Sequence, residues 1–205
     1  MNKKLLLCSS AGQIIAKAGF LFTKPVSELK AICIPTAANI YPVDDRAWFD
    51  NELQLFKDQG FNLIHYDLVG KTEADVAAIL NDADVIYVIG GNTYYLLEQM
   101  QKCNFKKIVI DCLDKGAVYI GSSAGSVIAG PSIDFIGDID DPTQANLTDY
   151  TGLELIDFHI KPHVRALGPD DKWRERLKDH KGAAIIGLKD NEALFVDDHY
   201  VRLIV

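Results

Sequence analysis

AVYIGSSAGSVIAG, residues Ala117 to Gly130, decides the reading of the fold. An apolar, β-branched run from Ala117 to Ile120 enters the tight sequence Gly121-Ser122-Ser123-Ala124-Gly125, and small residues suited to a packed helix follow. Strand, sharp turn and helix in that order form a nucleophile elbow, with Ser123 at its apex. The glycines belong there because a Cβ at position 121 or 125 would meet the adjoining strand or helix. The pattern predicts a Ser123 hydroxyl at the top of a sheet, with the first N–H groups of the helix aimed at the same point. A bare GxSxG also occurs in ordinary Gly/Ser-rich turns, so the flanking strand and helix are what favour a catalytic reading.

Working outward, short apolar runs alternate with helical patterns. Lys4 to Ser9, Lys30 to Pro35, Asn62 to Tyr66 and Asp84 to Ile89 read as buried strands. Helices are expected over Gln13 to Phe22, over Asp44 to Gln59 with Gly60 as its stop, and from Thr72. Asn92 or Thr93 can cap a helix from Tyr94 to Gln101, and Asn104 one running to about Lys115. This alternation predicts an α/β fold with a three-layer, doubly wound, mostly parallel sheet in one domain spanning residues 1–205. Beyond the elbow, Asp134 to Thr151 is polar and acidic and reads as a long surface loop. Leu153 to Ile160 and Ala183 to Leu188 read as strands, Pro169 to His180 as a charged helix, and Ala193 to Val205 as a β-hairpin around Asp197-Asp198.

The composition sets the class of partner. A chain of 205 residues, 48% hydrophobic and 24% charged, suits a soluble globular protein with a substantial core. A net charge of -8 without a basic cluster argues against nucleic acid and anionic membranes, which leaves small molecules or peptides. The sequence leaves a homodimer open. Cys8, Cys33, Cys103 and Cys112 have neither CxxC nor metal-type spacing and read as buried thiols in a reducing cytoplasm. MNKKLLLC has too short an apolar core for a secretion signal, and no run approaches the ~20 apolar residues of a membrane span. The aspartates lack a calcium-loop pattern, so neither metal nor cofactor is expected.

A serine nucleophile needs a base, and five histidines compete. His65 lies in a strand, His180 ends a charged helix and His199 sits in the hairpin. His159 shares the apolar run that leads to Lys161-Pro162-His163. His163 is preferred, because the residue after a proline at a strand end is well held above a sheet. The acid that orients it is open among Asp138, Asp140 and Asp141 in the polar loop, and Asp190 and Glu192 after the strand ending at Leu188.

Gly90-Gly91-Asn92-Thr93, Gly121-Ser122-Ser123-Ala124-Gly125, Pro162-His163 and Gly187-Leu188-Lys189-Asp190, in that order, resemble the signatures of the dipeptidase E family, the aspartyl dipeptidases of peptidase family S51. The related cyanophycinases share much of the set. The resemblance covers nearly the whole chain. It implies a flavodoxin-like sandwich related to class I glutamine amidotransferases, and a serine exopeptidase acting on dipeptides with amino-terminal aspartate. It further implies Ser123 as nucleophile, His163 as general base, and the N–H groups of Gly91 and Ala124 as oxyanion donors. For the acid it matches twice, on Asp138 by counting from the elbow and on Asp190 by the later signature. Asn92, Arg165 and Arg174 are candidate substrate contacts, with Arg176 as a further basic residue nearby. Two rival functions fit the elbow: an α/β-hydrolase-type esterase, whose histidine would have to be His199, and a non-catalytic binding protein.

Overall fold

The computed structural model describes residues 3–137, 139–164 and 182–205. Five parallel strands occupy the middle and one side of a seven-stranded sheet: β1 (Lys4–Cys8), β2 (Ala31–Ile34), β3 (Leu63–His65), β4 (Val85–Val88) and β5 (Val118–Ser122). Two antiparallel strands, β8 (Ala193–Asp197) and β9 (Tyr200–Ile204), complete it as the expected hairpin, in the order β3-β2-β4-β5-β1-β8-β9. A second, two-stranded parallel sheet joins β6 (His159–Lys161) to β7 (Ile185–Gly187).

Both faces of the sheet are covered at β1, β2, β4 and β5, which is why these strands are mostly apolar rather than alternating, while the edge strands β3 and β9 are largely exposed. Leu5 and Leu7 of β1 face one core while Leu6 and Cys8 face the other. The first core takes residues from α3 (Glu73–Leu80), α4 (Thr93–Lys102), α5 (Phe105–Asp114) and the short α6 (Ala124–Val127). The second takes residues from α1 (Ala11–Ile14) and α2 (Ala47–Asp58). The result is the three-layer α/β fold expected from the alternation. No helix among the described residues is long and apolar enough to cross a membrane. Cys8, Cys33, Cys103 and Cys112 are all buried free thiols.

Several elements differ from their sequence reading. In place of a helix over Gln13 to Phe22, α1 ends at Ile14 and two 3₁₀ turns, Ile15–Lys17 and Gly19–Leu21, finish the segment. Glycines at 12 and 19 weaken a continuous helix there. Thr72 caps α3 with a full capping box to Asp75, but Asn104 does not cap α5 with its side chain. It adopts φ 52° and donates instead to Glu73. Leu153, Leu155 and Ile156 are buried, but 153–158 is irregular, because the N–H groups of residues 153–156 bond the carbonyls of Ile128, Ala129 and Gly130 rather than a neighbouring strand. Pro169 to His180 lies outside the described residues.

The second layer contains one charged intruder. Glu52 of α2 is buried next to Phe56, whose ring stacks on Tyr87 of β4 at 4.3 Å. The Tyr87 hydroxyl donates to one Glu52 oxygen and Ser10 Oγ to the other, while Ser122, Cys8, Cys33 and His163 also face the carboxyl. Burial pushes the Glu52 carboxyl above the usual carboxylate range, and the hydroxyls of Ser122, Tyr87 and Ser10 offset part of that rise.

This packing makes two outcomes measurable. A Cβ at Gly125 would sit 2.1 Å from the Val88 carbonyl oxygen, whereas one at Gly19 would meet nothing within 4 Å. Gly125→Ala is therefore expected to lose about 3 kcal/mol or more in urea unfolding, and Gly19→Ala to change stability by about 0.5 kcal/mol at most. For Glu52 the sign is set by its raised folded-state pKa. Below about pH 4.3 the folded and unfolded chains both hold the proton; above it the unfolded chain releases the proton first, so the residue's contribution to stability falls as pH rises toward the folded value. Glu52→Gln removes that slope. Its unfolding free energy relative to wild type should rise between pH 4 and 7 in a denaturant series, and a constant difference across that range would contradict the assignment.

Candidate active site

β5 runs into Ser123, which holds φ 48° and ψ −111° before α6 begins at Ala124. That conformation costs a residue with a Cβ about 1 to 3 kcal/mol and persists only where the surroundings enforce it. Here they do. Ser123 N donates to the Cys8 carbonyl at 3.0 Å, and Tyr119 Oη donates to the Gly125 carbonyl at 2.7 Å. Ser126 Oγ lies 2.7 Å from the Cys8 carbonyl and 2.8 Å from that of Gly121. A Cβ at Gly121 would approach Gly125 O to 2.6 Å, so the strand and the helix touch through backbone alone.

His163 meets this serine from the second sheet. Its Nε2 lies 2.9 Å from Ser123 Oγ, and its Nδ1 lies 2.6 Å from Asp190 Oδ1. An ionised carboxylate only accepts, so Nδ1 carries the proton and Nε2 is left to accept from the Ser123 hydroxyl. The β6–β7 register, with Lys161 opposite Gly187, continues beyond both strands through Leu188 N to Lys161 O and Val164 N to Leu188 O, each 2.9 Å. That continuation sets the residue after Pro162 beside the turn holding Asp190. His163 itself adopts φ 57°.

Ser9, at the end of β1, ties the two sheets together. Its hydroxyl donates to Asp190 Oδ1 at 2.9 Å and accepts from the His163 backbone N–H at 2.7 Å. The sequence reading passed over Ser9. The available signal was a Ser-Ser pair directly after a buried parallel strand, where ligands are met.

The remaining candidates separate clearly. Gly90 and Gly91 follow β4, and a Cβ at Gly90 would lie 3.0 Å from Ser123 Cβ and 3.6 Å from its Oγ. Gly91 has φ 138°, and a Cβ there would fall 2.2 Å from Ala37 O, so only glycine lets this loop close on the elbow. Gly90 thus abuts the serine from the end of β4, and Ala124 follows it at the start of α6. α6 is a single turn, so what it presents beside Ser123 is its first N–H groups rather than a long helix dipole. The Asn92 side chain is buried: Oδ1 accepts from Tyr95 N at 2.8 Å, the cap expected at the start of α4, and Nδ2 donates to Asp141 O at 2.9 Å. The carboxamide thus caps α4 and ties it to the segment carrying Asp141.

Asp140 accepts from Thr93 N at 2.8 Å, and Asp141 accepts from Thr143 and Gln144. Glu192 accepts from Lys189 N, which holds its carboxyl below the usual range and closes the turn carrying Asp190. Each of these acids is engaged away from His163. Asp138, Arg165, Arg174 and Arg176 lie outside the described residues. Among the described residues no His, Cys, Asp or Glu group is arranged to hold a metal ion.

The other described histidines are elsewhere. His159 is buried with its ring 4.5 Å from that of Phe135, and His65 packs on Phe49. His199 lies in the β8–β9 turn, whose residue Asp197 pairs with Lys4 at the start of β1; Ser122 pairs with Cys8 at its end. The whole length of β1, about 13 Å at 3.3 Å per residue, separates His199 from the elbow, which leaves an esterase-type order without a base.

Comparison with known proteins agrees with this geometry. The family model described as Peptidase family S51 matches residues 5–204. An uncharacterized peptidase of Listeria innocua is 30% identical over 204 residues, covering 97% of this chain and 95% of its own. A peptidase E of Nostoc is 28% identical over 218 residues, covering all of this chain and 86% of its own. The crystal structure of a putative peptidase E protein from Listeria monocytogenes superposes with a TM-score of 0.88 at 26% identity, over 99% of this chain and 98% of that one. With its elbow, its sheet order and a match that runs nearly from end to end, the chain belongs to peptidase family S51, the serine peptidases of peptidase E type.

Proposed function

We propose that this chain is a serine exopeptidase that hydrolyses short peptides, with dipeptides carrying an amino-terminal aspartate as its preferred substrates. The observation that carries the reading is the unbroken series Ser123 Oγ, His163 Nε2, His163 Nδ1, Asp190 Oδ1, with contacts of 2.9 and 2.6 Å. His163 takes the Ser123 proton as the hydroxyl oxygen attacks the peptide carbonyl, and the Gly91 and Ala124 N–H groups receive the developing oxyanion. His163 then gives the proton to the leaving amine, which departs as the second amino acid. Water repeats the cycle on the acyl-enzyme and frees the first.

Asp190 holds the imidazole in the tautomer that accepts from serine and stabilises its protonated form. Asp190 is preferred over Asp138 because its contact with Nδ1 is direct and a strand-end turn braced by Glu192 and Ser9 is firm. The His163 and Asp190 side chains are about half exposed, which suits a centre that small, freely diffusing peptides reach. Aspartate preference follows the dipeptidase resemblance, with Arg165 or Arg174 as the guanidinium that would pair with the substrate carboxylate. A reducing cytoplasm suits four buried free thiols.

A panel of Asp-X, Glu-X and Ala-X dipeptides tests the substrate. Asp-X should turn over fastest, and Ser123→Ala should abolish hydrolysis of every member; a wild type that cleaves none of them discards the dipeptidase reading. The acid is tested separately. Asp190→Asn should lower kcat by about 10⁴-fold, the scale set by a wrongly held tautomer, while Asp138→Asn stays within about threefold. The reverse pattern would move the orienting role to Asp138.

A further inference from the structure

Beneath the elbow, on the side away from substrate, the ends of three strands converge on one buried carboxyl. Glu52 reaches up from α2 to the Tyr87 hydroxyl of β4 and the Ser10 hydroxyl just after β1. Ser122, the last residue of β5, faces it as well. Ser122 Oγ already accepts from Ala11 N at 3.0 Å, which turns its own proton toward the carboxyl. Each of these donors adjoins a group the reaction uses. Ser122 precedes Ser123, Ser10 follows the Ser9 that braces His163 and Asp190, and Tyr87 lies three residues before Gly90, whose backbone abuts Ser123.

Stability alone does not account for an acid here. Taking a carboxyl out of water is costly, and even buried ion pairs can often be replaced as a unit by apolar residues of similar volume without loss of stability. The rest of the α2 interface is aromatic and aliphatic, with Phe56 stacked on Tyr87, and it would accept such a side chain. What an apolar residue lacks is the ability to hold three hydroxyls in fixed directions.

We propose that Glu52 is a positioning residue for the peptidase centre, fixing the ends of β1, β4 and β5 relative to one another so that the Ser123 hydroxyl stays in line with His163. The role is exerted through Ser122, Ser10 and Tyr87, and Glu52 itself does not touch substrate. The Glu52→Gln variant keeps most of the role, since the carboxamide oxygen can still accept from the Tyr87 hydroxyl while its nitrogen donates to the oxygen of the half-buried Ser10 hydroxyl.

The inference rests on the serine-peptidase reading, and the test separates the two. Second-order rates of Ser123 labelling by a fluorophosphonate, dipeptide kcat and KM, and melting temperature are measured for wild type, Glu52→Gln, Tyr87→Phe and the volume-conserving pair Glu52→Met with Tyr87→Phe. The paired variant should stay folded and melt within about 10 °C of wild type, yet label and turn over about tenfold or more slowly with KM within about twofold, the signature of a misplaced nucleophile. Glu52→Gln should retain rates within about threefold, and Tyr87→Phe should fall between. A paired variant that labels as fast as wild type overturns the proposal, as does Glu52→Gln falling as low as the pair. Should the pair not fold, Tyr87→Phe decides alone, and unchanged labelling there also overturns it. A wild type that never labels removes the serine-peptidase reading, and this inference with it.

Discussion

The arrangement depends on backbone meeting backbone where β5 turns into α6. Gly125 presses against the Val88 carbonyl and Gly121 against Gly125, with no room for a Cβ at either place. Because nothing can slide at that contact, Ser123 is kept at φ 48°, a conformation it would leave if the packing were loosened. The strain is local and the enforcement is not: Cys8 of β1, Val88 of β4 and Tyr119 of β5 all take part. A hydroxyl held this way has lost its conformational freedom during folding, so little ordering of it remains to be done.

His163 and Asp190 come from a different structural unit. β6 and β7 pair with each other and not with the main sheet, so His163 and Asp190 are positioned together by one parallel register. Such a unit could drift relative to the elbow while keeping its own pair intact. Ser9 opposes that drift, because a residue ending β1 of the main sheet accepts from the His163 backbone and donates to Asp190. The Nε2 to Oγ contact is thus bounded by hydrogen bonds within each sheet and between the two.

How much of this was legible in the sequence follows from the range of the interactions. The elbow was readable because its requirements are local, namely a β-branched strand, glycines at fixed offsets and a serine between them. That His163 stands beside the elbow was readable from its place after a proline at a strand end. The choice between Asp138 and Asp190 was not, since it depends on the β6–β7 register, and parallel pairing across more than twenty residues leaves no local mark. Leu153 to Phe158 misled for a related reason: its apolar side chains report burial, while its N–H groups turn back to the chain just after α6. Asn92 was legible as a cap for the helix that follows, whereas its second bond, to the Asp141 carbonyl 49 residues on, was not.

Ser9 and Glu52 were invisible for the opposite reason, in that each looks ordinary where it stands. Ser9 reads as the last residue of a buried strand, and Glu52 as one charged residue among several in a helical stretch. Both acquire meaning from the same geometric fact, that β1, β4 and β5 are neighbours whose carboxyl ends open at one place. Ser9 lies on the catalytic side of that opening and Glu52 below it, so the strand ends are held from above by the His163–Asp190 pair and from below by a buried carboxyl. Buried polar groups are costly when any member lacks a partner, and directional when all are satisfied. A fold that needs only to be stable gains little from such a cluster, whereas one that must keep a hydroxyl and an imidazole at 2.9 Å gains direction from every hydrogen bond in it.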